Sequence, residues 1–312
     1  MKGIVIKSTG SWYFVQNENG QKIECKLKGN FRIKNIRTTN PIAVGDIVEY
    51  SVLENEDKDI GLIHKIQERK NYIIRKATNL SKQSHIIAAN IDQALLMATI
   101  ASPRTSLGFI DRFLVTAEAY QIPVKIIFNK IDICDKKNKL DLVKIIDIYT
   151  AIGYECFSIS ALNNINLDII KDLMKDKISL ISGHSGVGKS AMINVIEPGL
   201  KLKTGEISSV HLKGKHTTTF AEMHSLSFGG YIIDTPGIKE FGVLEFQKEQ
   251  VSHYFPEMLK ILNDCQFNNC THTHEPNCAV KDAVATEEIS ESRYINYLNI
   301  LDNVELDAKE WE

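Results

Sequence analysis

Gly183-His184-Ser185-Gly186-Val187-Gly188-Lys189-Ser190 places glycines at the first and sixth positions, then a lysine and a hydroxyl. That spacing suits a phosphate loop. The glycines let backbone N–H groups wrap phosphate oxygens, and a helix opening at Lys189 adds the positive end of its dipole. Lys189 then reaches the β- and γ-phosphates, and the Ser190 hydroxyl holds Mg²⁺. Val187 and Ala191 complete the loop's expected contacts with the nucleotide, and His184 reads as a packing residue within it. Asp234-Thr235-Pro236-Gly237 begins 44 residues after Ser190. Asp234 can hold the metal through water, and the Gly237 N–H can meet the γ-phosphate. Between them lies Lys213-Gly214-Lys215-His216-Thr217-Thr218-Thr219, where Thr217 or Thr218 can supply a second metal ligand from a switch loop.

Asn129-Lys130-Ile131-Asp132 carries a base-reading pattern. The Asp132 carboxylate can accept from guanine N1–H and its exocyclic amine, a pair that adenine lacks. Asn129 braces the site and the Lys130 stem covers the base. Ser160-Ala161 follows Asp132 by 28 residues, and the Ala161 N–H can donate to guanine O6. Taken together these loops select GTP over ATP.

A different chemistry lies in Cys265-x4-Cys270-x-His272-x5-Cys278. Three thiolates and one imidazole form a closed tetrahedral set, which is structural rather than catalytic zinc because no position is left for water. On spacing alone, His272 and His274 compete for the fourth place. The other cysteines, Cys25, Cys134 and Cys156, are scattered, so a disulfide scaffold is not expected.

These groups must be positioned by ordered elements, and the 312-residue chain is long enough for two or three domains. Apolar runs at Ile91–Ile100, Val124–Phe128, Ile178–Ile181 and Tyr231–Ile233 read as buried parallel strands. Helical patterns at Asp111–Tyr120 and Leu140–Tyr149 alternate with them, as in a three-layer α/β domain. Upstream, Ile4–Ile6, Trp12–Val15, Ile23–Leu27, Ile47–Val52 and Ile60–Ile66 alternate as short strands. Five such strands suit an OB-type barrel, although the count alone does not separate it from an SH3-like one. Past residue 246 the pattern is helical, with Tyr294, Tyr297, Leu298 and Leu301 on one face behind a Ser290 cap.

A net charge of −2 conceals a polarised chain. Residues 1–70 carry 12 basic and 9 acidic side chains, 71–245 carry 20 and 17, and 246–312 carry 5 and 13. Lys22, Lys26, Lys28, Arg32, Lys34 and Arg37 crowd one stretch of the barrel, either as a solvated loop or as contacts to nucleic-acid phosphates. The first residues meet Lys7 too early for a signal peptide, and no apolar run is long enough to span a bilayer, so the cytoplasm is the expected compartment.

The base-reading motifs precede the phosphate loop, the reverse of the usual GTPase order, so the GTPase is circularly permuted. In this the sequence resembles the ribosome small-subunit-dependent GTPase A family, the RsgA/YjeQ type. Ala89–Gln93, Ile110–Leu114, Asn129–Asp132, Gly183–Ser190, His216–Thr219, Asp234–Gly237 and the Cys/His cluster carry the likeness across almost the whole chain. The resemblance implies a multidomain α/β protein: an OB-type RNA-binding barrel over 1–70, a permuted P-loop GTPase over 71–245 and a zinc-binding helical domain over 246–312. It implies ribosome-stimulated GTP hydrolysis in late maturation of the small (30S) ribosomal subunit, with hydrolysis coupled to release. GTP or GDP, Mg²⁺ and one structural Zn²⁺ are the implied cofactors. The subunit, its rRNA and other assembly factors are the implied partners of a monomer, with no membrane. It also places the fourth zinc ligand at His272. Two departures, Ala191 after the phosphate loop and Asn277 in place of a glycine, touch no principal ligand.

Ile238 stands where many GTPases hold a water-orienting Gln. His216 is the candidate catalytic group in its place; contact with rRNA or only solvent is the alternative for it. Two other functions compete with a ribosomal GTPase. An RNA-binding module with a relic nucleotide site is opposed by the complete motif set. A GTPase serving transport or signalling is opposed by the basic barrel.

Overall fold

The computed structural model describes residues 1–28, 41–53, 59–75, 85–201, 221–234 and 247–309. Strands β1 (Lys2–Ser8), β2 (Tyr13–Asn17), β3 (Lys22–Leu27), β4 (Ile47–Leu53) and β5 (Ile60–Ile66) close into a barrel. β1 pairs antiparallel with both β2 and β4, and β3 closes onto β5 in parallel. The cyclic order β1-β2-β3-β5-β4 makes the barrel OB-like, a distinction that lies in the pairing and not in the strand count. Alternate residues such as Val5, Tyr13, Val15, Val48, Tyr50 and Ile63 fill its interior.

The second unit is a sheet ordered β10-β9-β8-β11-β13-β12. Its strands are β8 (Gln93–Ala98), β9 (Val124–Phe128), β10 (Glu155–Ser158), β11 (Ile178–Ser182), β12 (Glu222–Ser225) and β13 (Tyr231–Asp234). All pairs are parallel except β12 with β13. Every residue of β8 is buried, as its unbroken apolar run requires of a strand covered on both faces. Helices α1 (Leu107–Ala119) and α2 (Lys136–Ala151) cover one face. Helices α3 (Leu167–Met174) and α4 (Lys189–Ile196) cover the other. α1 starts four residues earlier than its apolar pattern, at a Ser106 cap whose hydroxyl accepts from the Phe109 N–H at 3.2 Å. α2 likewise starts early, behind an Asp135 cap accepting from the Asn138 N–H at 2.7 Å.

The barrel and the sheet are continuous. β1 bridges to β12, where Lys7 faces Glu222 in an ion pair of 3.0 Å. A short hairpin, β6 (Tyr72–Arg75) with β7 (His85–Ala89), joins the two units along the chain. The Ala89–Gln93 stretch belongs to this joint: Asn90 donates to the Gly45 carbonyl at 3.0 Å, and Asp92 accepts from the Ile178 N–H at 2.7 Å.

The C-terminal unit contains α5 (Lys248–Val251), α6 (Pro256–Leu259), α7 (Ala279–Ala285) and α8 (Glu291–Lys309). α8 begins directly after Ser290. Its core gathers Val251, Phe255, Met258 and Tyr297 with the three clustered cysteines, and it reaches Val115 on α1. No helix among the described residues is long and apolar enough to cross a membrane.

Candidate functional site: nucleotide loops and a Cys/His cluster

The phosphate loop runs from the end of β11 to the start of α4. Its glycines are conformationally required. Gly183 has φ +141, and a Cβ there would lie 2.3 Å from the Met97 carbonyl oxygen. Gly188 has φ +99, and a Cβ would lie 2.3 Å from Asn129 Nδ2. The buried Lys189 curls beneath the loop, donating to the Gly183 and His184 carbonyls at 2.7 Å each. Ser190 lies buried in the first turn of α4, followed by the half-buried Ala191, and Val187 anchors the loop in the core. Ser185 and Gly186 are exposed. His184, exposed like its two successors, packs against Phe109 of α1 with ring centroids 3.7 Å apart and planes tilted by 30°; partial burial together with the neighbouring Lys189 charge lowers its pKa.

Asn129 ties this loop to the base-reading loops. Buried at the end of β9, it donates to the Val187 carbonyl at 2.8 Å and accepts from the Ala161 N–H at 3.0 Å. The N–H expected to meet guanine O6 therefore serves Asn129 here. Lys130 takes a left-handed conformation (φ +65) and donates to the Ser102 carbonyl at 2.8 Å. Ile131 opens a short 3₁₀ turn that presents Asp132 at the surface, where the buried Ser160 hydroxyl donates to its Oδ1. The structure thus gathers Asn129, Lys130, Asp132, Ser160 and Ala161 beside the phosphate loop. Asp234 ends β13, hydrogen-bonded next to β11. Thr217, Thr218, His216, Gly237 and Ile238 lie outside the described residues, as do Arg32, Lys34 and Arg37.

In the C-terminal unit Cys265, Cys270, His272 and Cys278 are all buried, with one ligand atom from each within 4.8 Å of the others. His272 Nδ1 lies 3.6 Å from Cys265 Sγ and 3.3 Å from Cys278 Sγ. Ligands of a tetrahedral zinc stand about 3.3–3.8 Å apart, so this donor set fits that ion. Burial pushes the Cys270 thiol up to about 12, which a cation must offset if thiolates are to persist there. His274 is exposed and bonded to Thr273, which decides between the two histidines. Glu275 fastens the ligand loop by accepting from the Thr271 N–H and hydroxyl at 2.7 and 2.6 Å and from the Thr273 N–H at 2.9 Å. Burial opposes its charge, but these donors outweigh burial and hold its carboxyl down at about 2.

One feature was not legible in the sequence. Arg293 on α8 is 1% exposed and forks onto Glu257 at 2.7 and 3.1 Å while meeting Asp111 of α1 at 2.6 Å. Burial opposes the Arg293 charge, yet Asp111 and Glu257 overcome it and raise its pKa. Nothing in the spacing of these charges distinguishes them from solvated helix faces.

Two family models match the chain: an RsgA N-terminal domain over residues 2–63 and an RsgA GTPase over residues 66–244. The chain is 56% identical over 305 residues to small ribosomal subunit biogenesis GTPase RsgA 2 of Bacteroides thetaiotaomicron, covering 98% of this chain and 97% of the relative. It is 58% identical to the RsgA of Phocaeicola vulgatus over the same shares. Among solved structures it resembles YjeQ from Thermotoga maritima, with a TM-score of 0.78 and 35% identity, covering 97% of this chain and 98% of the other. The circularly permuted GTPase YloQ follows at a TM-score of 0.76 and 29% identity, covering 97% and 94%.

Proposed function

The chain belongs to the RsgA GTPase family, and from that premise we propose how its own residues bind and hydrolyse GTP on the small ribosomal subunit. It is a circularly permuted GTPase of small-subunit biogenesis with a Cys3His metal site. The reading of its site rests on Asn129, whose one side chain fastens the phosphate loop to the loop of Ser160 and Ala161. A purine held by Asp132 therefore sits at a defined distance from phosphates held by Gly183–Ser190. We assign 1–70 to the RNA-binding barrel, 71–245 to the GTPase and 246–312 to the zinc module.

In this reading Lys189 leaves its two carbonyls for the β- and γ-phosphates. Ser190 and a threonine of the Thr217-Thr218 pair would hold Mg²⁺, with Asp234 holding it through water, the ion would neutralise charge on the phosphates, and the Gly237 N–H would meet the γ-phosphate. Water attacks the γ-phosphorus, the bond to the β,γ-bridging oxygen breaks, and GDP and phosphate leave. Zinc, held by Cys265, Cys270, His272 and Cys278, supplies folding energy and takes no part in the chemistry. The protein works as a cytoplasmic monomer that meets rRNA and other assembly factors on the subunit. Sedimentation with separated ribosomal subunits, with GTP turnover measured in the same samples, tests the whole reading; equal turnover with and without small subunits counts against it.

Base choice is expected to rest on Asp132. Asp132→Asn removes an anionic acceptor of two guanine donors, and hydrogen bonds to charged groups contribute about 1.5–3 kcal/mol each. Guanine nucleotide affinity should drop at least about tenfold, with xanthine nucleotide gaining relative to it. Fluorescent-nucleotide titration reads this, and equal affinity of the unmodified protein for GTP and ATP would refute the assignment.

The barrel should contribute through charge. Lys26 and Lys28 are exposed on and just after β3, with the Lys26 ammonium 4.1 Å from the centre of the Trp12 ring. Replacing either lysine by Ala should weaken subunit binding modestly and lower the slope of log K against log salt by about one. An unchanged slope for both variants would exclude phosphate contact by these lysines.

A further inference from the structure

We infer that helix α1 couples the phosphate loop to the metal module, so that bound nucleotide and bound metal stabilise one another. The inference rests on the nucleotide reading above and concerns a link outside both switches.

The link starts at the Phe109 ring, which packs tilted against His184 within the phosphate loop at 3.7 Å between centroids. The segment leading into α1 touches the nucleotide loops twice more. Ser102 accepts from Lys130, and the Pro103 ring lies 3.6 Å from where a Cβ of Gly186 would stand. That segment is itself pinned: the Thr105 hydroxyl accepts from the Thr99 N–H at 3.0 Å, and the Thr105 N–H donates to the Thr99 carbonyl at 2.8 Å. Two residues past Phe109, Asp111 is fully buried. It accepts from Tyr149 at 2.7 Å and from Arg293 and Asn296, both on α8, at 2.6 Å. α8 then holds the ligand loop, with Tyr294 donating to the His272 carbonyl at 2.6 Å and Tyr297 to the Thr271 carbonyl at 2.7 Å. From His184 to His272 each step is a ring contact, a hydrogen bond or a helix.

The middle of this chain cannot yield gradually. Separating α1 from α8 strips the buried Asp111 of both Arg293 and Asn296 and leaves it only Tyr149, which is strongly unfavourable. Val115, also on α1, is part of the metal module's core. A shift of the phosphate loop on binding nucleotide is therefore passed along α1 to α8 instead of being absorbed at a solvated hinge. Coupling of this kind is reciprocal: whatever nucleotide does for the metal loop, metal does for the nucleotide.

The test uses full-length, metal-loaded protein. Fluorescent GDP first establishes saturation, and amide hydrogen exchange of residues 265–301 is then compared with and without GDP. Metal loss to a coloured chelator is followed in parallel. GDP should slow both exchange in this segment and metal loss by at least about fivefold, the lower range of allosteric couplings. Phe109→Ala should still reach GDP saturation at higher concentration and retain its metal, but lose the protection, whereas Phe109→Tyr, which keeps the ring, should preserve it. Saturating GDP without any change at 265–301 in the unmodified protein would overturn the inference, as would full protection in Phe109→Ala. Absence of GDP binding altogether would overturn the nucleotide reading and this inference with it.

Discussion

Chelating the metal, or replacing Cys270 by Ala, is expected to melt the C-terminal module and leave the barrel and the GTPase sheet standing. The module's core is small. Apart from the cysteines it rests, among the described residues, on ten buried apolar residues, including Val251, Phe255, Met258 and Tyr297, with Val115 lent by α1. The ligand loop Cys265–Cys278 has little regular structure of its own and is held by Glu275, Lys281 and the two tyrosines of α8. In small modules of this kind metal binding is folding energy, about 10–16 kcal/mol in apparent terms for zinc. Removing one thiolate forfeits most of that and leaves two more buried thiols and His272 unsatisfied. Exchange should become fast from about residue 248 to the end of α8. Strands β8, β9 and β11 draw their burial from α1–α4 and should stay protected. One zinc per chain is the matching composition. Purified protein without metal, with all its thiols reactive and an unchanged melting curve, would show that the cluster has no such role.

What the sequence disclosed follows a physical division. Loops that grip phosphate and guanine do so with backbone groups and a few obligatory side chains, so Gly183–Ser190 and Asn129–Asp132 are readable as strings. Buried parallel strands are equally readable, because β8 and β9 have no solvent face to dilute the pattern. The first turn of α2 was hidden because Lys136, Lys137 and Lys139 face solvent and carry no periodic apolar signal. OB topology, which depends on β3 meeting β5, was invisible in any one strand. The choice between His272 and His274 turned on a backbone bend: His272 sits at φ +57, where the chain folds its ring inward. The Asp111–Arg293–Glu257 set was least legible. It joins residues up to 182 apart, and each of them alone resembles an ordinary surface charge.

The largest kinetic effect is expected at a residue outside the described segments. His216→Ala should bind nucleotide and small subunit as before yet lose most of the subunit-stimulated turnover, a loss on the order of 10³-fold if stimulation follows other GTPases. The argument begins with Ile238, which stands where a Gln would orient water and which cannot do so. A polar group must be brought in, and the architecture supplies a route. Ala221, five residues after His216, opens the segment leading into β12. β12 is the strand that meets the barrel, through the bridge and ion pair of Glu222 with Lys7. β13, its hairpin partner, ends at Asp234, directly before the segment proposed as the second switch. In the proposed reading, docking the barrel on rRNA would act on a hairpin that the two proposed switch segments flank in sequence, without passing through the loops that Asn129 holds. Free protein, lacking that push, should hydrolyse slowly, while subunit-bound protein should turn over with His216 against the attacking water. Single-turnover rates with saturating small subunits, beside equilibrium binding of a non-hydrolysable analogue, separate chemistry from binding. If His216→Ala hydrolyses GTP on the subunit at the unmodified rate, His216 is not the catalytic group, and a group of the rRNA becomes the leading candidate.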